Sequence, residues 1–159
     1  MIAFLFACKK PVRYSDIPEI KKISFTKYQA TDTTMGTNLV FYFQDGEGDI
    51  GLNQSDSFPP FNRGSIYYYN FFCDYYEKQS GIFVKIDSVE YNGKKTSFNF
   101  NSRFPRCSDL PQESINGEIS IKIPFYFDKK SPYDTTQIKF YIVDRKLNHS
   151  NIETADMIR

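Results

Sequence analysis

The sequence predicts an all-β domain, a single antiparallel β-sandwich of immunoglobulin-like type with about seven strands. Three observations lead to this prediction. Apolar side chains recur at every second position in several segments, and turn signals separate those segments. The 159 residues include 16 Phe, 12 Tyr and no Trp, and aromatic side chains of this kind favour strands. A chain of this length is long enough for one domain with its own core.

The clearest predicted strand runs from Gly117 to Phe127, because its isoleucines and phenylalanines all fall on one face. Pro124 removes one backbone donor, which predicts an edge position or a bulge there. Shorter alternating patterns mark further strands: Ile23 and Phe25; Leu39, Phe41 and Phe43; Ile82, Val84 and Ile86; and Ile138, Phe140 and Ile142.

Turn signals lie between these strands. Asn92-Gly93 predicts a two-residue hairpin loop, Asp45-Gly46 ends an early strand, and Asn116-Gly117 begins the clearest one. No segment has a convincing helical pattern. The last residues, from Asn151 to Arg159, predict either one terminal turn of helix or a frayed end.

The segment from Tyr67 to Tyr76 is aromatic on both faces. A central strand covered on both sides is the simplest interpretation. The alternative is a solvent-facing row of tyrosines that stacks on sugar rings or on a protein partner. The lack of Trp argues against the sugar interpretation.

The N-terminal residues predict a lipid anchor. Met1 to Ala7 are all apolar, and Leu5-Phe6-Ala7-Cys8 resembles a bacterial lipobox, which implies lipidation of Cys8. We therefore expect residues 1–8 to be a truncated signal peptide with its lipobox, residues 9–18 a tether and residues 19–159 the sandwich domain. The alternative is a frayed apolar terminus with an incidental cysteine.

Charge and position narrow the expected partners. The formal net charge of +1 argues against a nucleic-acid partner. A lipid on Cys8 would hold the domain at a membrane. In bacterial lipoproteins an Asp just after the lipidated cysteine favours retention in the inner membrane. This chain has Lys9-Lys10 at that place, so the resemblance to lipoproteins points to the outer membrane. We expect the periplasmic face rather than the cell surface.

One loop has the composition of a cation site. Asp45, Glu47 and Asp49 alternate with glycines, so that their oxygens can converge on a hard cation such as Ca²⁺. The loop departs from an EF-hand, since Ile50 stands at position 6 and Asp56 at position 12. The alternative is an ordinary turn in which the carboxylates cap backbone N–H groups.

A second polar group contains Asp144, Arg145, Asn148 and Asn151. Residues of these types commonly close the turn after a strand, and we expect this structural role. Asp144 is also a candidate to pair with Arg145 or to help the acidic loop hold an ion.

Catalysis has little support in the sequence, and we expect no enzyme. His149 is the single His, so any Ser-His-Asp or Cys-His unit would depend on it. A glycosidase-like carboxylate pair has no local signature and stays open. The other cysteines, Cys73 and Cys107, either form one disulfide or remain free, with Cys73 packing as a small apolar side chain.

Several segments together resemble the small lipoproteins of the Bacteroidota envelope. They are the lipobox, the segment from Phe43 to Leu52, Pro59-Pro60, and the segment from Asp144 to Thr154. The resemblance implies a non-catalytic, membrane-anchored module for binding or assembly, with no identified partner. The alternative is an envelope protein that binds or processes glycans with tyrosines and paired carboxylates.

Overall fold

A computed structural model describes residues 13–29, 35–91, 93–97, 99–107, 113–123 and 132–158. Cys8 and Pro124 lie outside these ranges, as do Phe125 and Phe127. A single-turn 3-10 helix, Ile66–Tyr68, precedes the third strand. The strands of the described residues are β1 (Glu19–Gln29), β2 (Met35–Asp45), β3 (Phe71–Gln79), β4 (Ile82–Lys85), β5 (Ser88–Tyr91), β6 (Lys94–Ser97), β7 (Ile115–Ile123), β8 (Thr135–Ile142) and β9 (Glu153–Ile158).

Seven of these strands form an antiparallel β-sandwich. One sheet has the order β1-β2-β7 and the other the order β4-β3-β8-β9, while β5 and β6 pair only with each other among the described strands. Immunoglobulin constant domains place strands A, B, E and D in one sheet and C, F and G in the other. Here the fourth strand, β4, pairs with β3 in the second sheet. The predicted fold class is confirmed.

The core lies between the two sheets, where three phenylalanines meet. Phe41 of β2 contacts Phe71 of β3, with ring centroids 6.0 Å apart, and Phe140 of β8, at 5.4 Å. All three side chains are fully buried. Each such burial contributes about 1.5–3 kcal/mol relative to an exposed side chain.

Alternation correctly located most strands. In β7 the residues Glu118, Ser120 and Lys122 are exposed and the intervening isoleucines are at least half-buried. The hairpin predicted at Asn92-Gly93 is confirmed in its strands, because Tyr91 pairs with Lys94; Asn92 itself lies outside the described residues.

Two predictions of local structure are wrong. The C-terminal segment forms β9, not a helical turn, because Ala155 and Met157 point inward and pair in register with β8. The predicted strand from Tyr67 to Tyr76 begins only at Phe71, because Ser65 caps the 3-10 helix by accepting a hydrogen bond from the Tyr67 N–H. From Phe71 onward it is the expected central strand, with both faces largely covered.

The two described cysteines are free. Cys73 is buried in β3 and burial raises the pKa of its thiol, whereas Cys107 is exposed. In the described part of the chain, no helix has the length and apolar character needed to cross a bilayer.

Candidate metal centre

Three carboxylates from separate segments converge at one end of the sandwich. Asp45 is the last residue of β2, Asp49 lies in the loop that follows, and Asp144 lies just after β8 in the opposite sheet. One carboxylate oxygen of each lies within 4.8 Å of the others. The cluster therefore joins the ends of the two sheets.

The cluster is buried, and several of its oxygens have no partner. Asp45 is 0% exposed and Asp144 is 2% exposed. Oδ2 of Asp45 accepts a hydrogen bond from the Asp49 N–H at 3.0 Å. Oδ1 of Asp45, Oδ1 of Asp49 and Oε2 of Glu47 are buried without a hydrogen-bond partner among the described residues. A buried, unpartnered carboxylate oxygen is costly unless a cation neutralises it.

Asn148 orients the carboxylate of Asp144. The Asn148 N–H donates to Oδ1 at 2.8 Å, and its side-chain amide donates to Oδ2, also at 2.8 Å. Leu147 has a φ of 68°, and the Asp144 N–H donates to the Asn148 carbonyl oxygen. This tight turn holds the carboxylate in place, and a carboxylate has enough lone pairs to accept these bonds and still bind a cation.

Glu47 extends the cluster towards solvent. Its Oε1 forms an ion pair with the ammonium of Lys146. The Lys146 side chain is 62% exposed, so water screens its charge. Among the described residues, the ammonium of Lys146 pairs directly with Glu47 and with none of the three aspartates of the cluster, so the cluster keeps an excess of negative charge.

The pKa values of the clustered carboxyl groups reflect this excess of negative charge. Burial, together with the charges of Asp144, Asp45 and Glu47, raises the pKa of Asp49 to about 6, against a lowering effect of Lys146. Burial also raises the pKa values of Asp45 and Asp144, partly opposed by their hydrogen bonds. The folded protein therefore holds these carboxylates as anions at a cost that a bound cation would remove.

The loop glycines and Ile50 fix the path of the acidic segment. Gly48 has a φ of 68° and Gly51 a φ of 94°, which only glycine adopts readily. A Cβ on Gly48 would lie 2.4 Å from the Glu113 carbonyl oxygen. Ile50 is fully buried and anchors the loop in the core. This explains why position 6 departs from the EF-hand pattern.

The donor set fits a hard cation. Ligands on opposite sides of a Ca²⁺ ion lie roughly 4.6–5.2 Å apart, which is twice the usual Ca²⁺–O distance. The spacing of up to 4.8 Å among the oxygens of Asp45, Asp49 and Asp144 is compatible with one common centre. Glu47, also predicted as a ligand, is not one of these three converging residues, and its Oε1 pairs with Lys146. All of these donors are carboxylate oxygens, the type that Ca²⁺ prefers.

The remaining residues of the second polar group lie elsewhere in the structure. Arg145 forms an ion pair with Asp56 and packs its guanidinium over the ring of Phe61. The Asn151 amide accepts from the Ile20 N–H at 2.8 Å and donates to the Ile20 carbonyl at 2.9 Å. Asn151 thereby fastens β1 to the start of β9, which is the structural role expected for it.

The outer face of the β4-β3-β8-β9 sheet carries an aromatic stack. The ring of Tyr141 lies between Phe72, with centroids 4.9 Å apart, and His149, at 5.3 Å. Lys139 covers the ring of Tyr76. A cavity of about 300 Å³ adjoins this stack. Because its rings pack on one another, the stack offers little free ring surface for a sugar.

One important residue had no sequence signal. Arg103 donates hydrogen bonds to the carbonyl oxygens of Asn53 at 2.5 Å, Asp56 at 3.0 Å and Tyr68 at 3.1 Å. It thereby organises the long connection between β2 and β3. Its partners lie 35 to 50 residues away in sequence, so no local pattern could have identified it.

Comparisons with protein-family models, with curated proteins and with solved structures gave no match.

Proposed function

We propose that this chain is a non-catalytic, membrane-anchored binding or assembly module of the bacterial envelope, and that Ca²⁺ stabilises it. The observation that carries the calcium part is the buried cluster of Asp45, Asp49 and Asp144 with its unpartnered oxygens. A cation there would tie the ends of the two sheets together.

The membrane part of the proposal rests on the lipobox-like segment that ends at Cys8. A lipid on this residue would hold the sandwich at the outer membrane, on its periplasmic face. Mass spectrometry of the protein recovered from the envelope fraction should show acyl chains on Cys8, and Cys8→Ser should release the protein from membranes. An unmodified cysteine in the envelope fraction would argue against the anchor.

Packing supports a non-catalytic module. The single His, His149, stacks on Tyr141 and meets the edge of Tyr67 at 6.3 Å, an arrangement that uses its ring as a packing surface. The thiol of Cys73 is buried with a raised pKa, which disfavours the reactive thiolate. The tyrosines from Tyr67 to Tyr76 are at least half-buried, so the glycan alternative has weaker support than the proposed module.

Thermal unfolding of the full chain tests the calcium part. A ligand that binds only the folded state stabilises it by about 2.7 kcal/mol at a hundredfold excess over Kd. Each kcal/mol raises the Tm of a chain of this size by roughly 2–4 °C. We expect millimolar Ca²⁺ to raise the Tm by several degrees relative to EDTA.

Matched variants locate the effect. Asp49→Asn should abolish the increase in Tm, because it removes one of the converging charges. Asp134→Asn should keep it, because Asp134 is exposed and outside the cluster. An equal Tm in EDTA and Ca²⁺ would show that the acidic loop is an ordinary turn.

A further inference from the structure

A mixed-charge pocket adjoins the acidic cluster on its solvent side. Its volume is about 350 Å³, and it is lined by Arg13, Asp16, Gly46, Glu47, Asp49, Arg106 and Lys146. Glu47 and Asp49 are shared with the candidate metal centre. The other wall carries three cationic side chains, which is unexpected beside a site that attracts cations.

The backbone holds Arg106 firmly at this position. The Leu52 N–H donates to the Phe104 carbonyl at 3.2 Å, and the Cys107 N–H donates to the Ile50 carbonyl at 3.1 Å. The two segments approach so closely that a Cβ on Gly51 would lie 2.5 Å from the Arg106 Cα. These contacts fix the position of the Arg106 backbone relative to the acidic loop.

Arg106 also retains an unused donor. Its Nε is buried and has no hydrogen-bond partner among the described residues. A guanidinium presents donors that match the geometry of a carboxylate. Arg106 lines the pocket, and an anionic group there would balance the guanidinium charge.

Calcium chemistry supplies a reason for such an anion. Ca²⁺ takes six to eight oxygen ligands, whereas the converging group offers one oxygen from each of Asp45, Asp49 and Asp144. Asp49 also lines the pocket, so a ligand there could reach an ion held beside it. A ligand carboxylate there would contact the cation on one side and Arg106 on the other.

We propose that the cation completes its coordination with an acidic side chain of a partner protein, and that Arg106 binds that same carboxylate. This inference rests on the proposed calcium site. No aromatic residue stands among the described lining residues of this pocket. Sugar sites usually offer an aromatic ring, so a protein side chain fits this pocket better than an acidic saccharide.

Luminescence of Tb³⁺, which replaces Ca²⁺ in oxygen sites, tests the proposal on the full chain. Lifetimes in H₂O and D₂O give the number of water molecules on the bound ion. Acetyl-Gly-Glu-Gly-amide should lower that number by about one or two, because a carboxylate binds with one or two oxygens. The matching Gln peptide should leave it unchanged.

Variants separate this proposal from the proposed function. Arg106→Gln should abolish the effect of the Glu peptide while Tb³⁺ still binds, and the control Arg63→Gln, an exposed arginine outside the pocket, should keep it. Bound Tb³⁺ with an unchanged water number would overturn the bridging ligand and leave the metal site intact. A response to galacturonate but not to the Glu peptide would overturn the protein partner. Failure of Tb³⁺ to bind would overturn both proposals.

Discussion

Asp45 and Asp144 belong to opposite sheets of the sandwich, yet their carboxylate oxygens lie within 4.8 Å of each other. Both side chains are almost completely buried. The two strand ends are thus held together at a point where the charges of the side chains repel. This relationship determines how the domain should respond to cations, to pH and to mutation.

The Asp45→Asn variant should distinguish the effect of charge repulsion on stability from the effect of cation binding. In EDTA the variant should be at least as stable as the wild type, because it loses one repelling charge and its amide oxygen can still accept the Asp49 N–H. In millimolar Ca²⁺ it should show no gain in Tm. Thermal unfolding under both conditions measures this. A variant that is less stable in EDTA and still gains stability from Ca²⁺ would contradict the proposed role of Asp45.

Stability in EDTA should fall as the pH rises from about 4 to about 6. The pKa of Asp49 is about 6 in the folded protein and about 3.9 in an unfolded chain. Between these values the folded state binds more protons than the unfolded state, so the free energy of unfolding decreases with rising pH. Urea unfolding at several pH values measures the slope.

Saturating calcium should remove this pH dependence between about pH 4 and about pH 6. The ion replaces the proton as the neutralising charge, so the free energy of unfolding in saturating Ca²⁺ should stay level or rise as the carboxylates ionise. In the Asp49→Asn variant the decrease measured in EDTA should be smaller. An identical slope in the wild type and in Asp49→Asn would assign the pH dependence to other groups.

Arg103→Lys should loosen the connection between β2 and β3. A lysine has one ammonium and cannot reach the several carbonyl oxygens that the guanidinium contacts. Limited trypsin digestion should cleave faster after Arg63, which is exposed within this connection. Adding Arg63→Gln to the same variant should remove that fragment, and unchanged cleavage after Arg63 would show that Arg103 does not hold the loop.

Asn151→Ala should destabilise the domain by about 1–3 kcal/mol, because it leaves the backbone N–H and carbonyl of buried Ile20 without partners. Urea unfolding measures the loss. Asn62→Ala is the control, since among the described residues the Asn62 side chain bonds only the neighbouring Arg63 carbonyl. Equal effects of the two substitutions would show that the link between β1 and β9 adds nothing.

The sequence predicted the sandwich well because alternation reports directly which face of a strand is buried. It failed for β9, whose inward residues are only Ala155 and Met157 and give a weak apolar pattern. It also failed at Tyr67 and Tyr68, where a serine cap starts a 3-10 turn inside an aromatic segment that resembles a strand.

The sequence predicted only the part of the site whose residues lie close together along the chain. The spacing of Asp45, Glu47 and Asp49 indicated a cation loop, and each side chain carries a buried oxygen with no hydrogen-bond partner in the described part of the chain. Ion binding was one of several roles that the sequence left open for Asp144. Its closeness to Asp45 depends on how β8 packs against β2, which no local pattern shows. Arg106 carried no signal, since its position follows from backbone pairing with residues more than fifty positions earlier.

The most direct test is anomalous diffraction from crystals of the full chain grown in millimolar CaCl₂. We expect one anomalous peak about 2.3–2.6 Å from oxygens of Asp45, Asp49 and Asp144. A map without a peak there, in which Lys146 or Arg106 binds these oxygens instead, would contradict the account and make the cluster an internally compensated charge network.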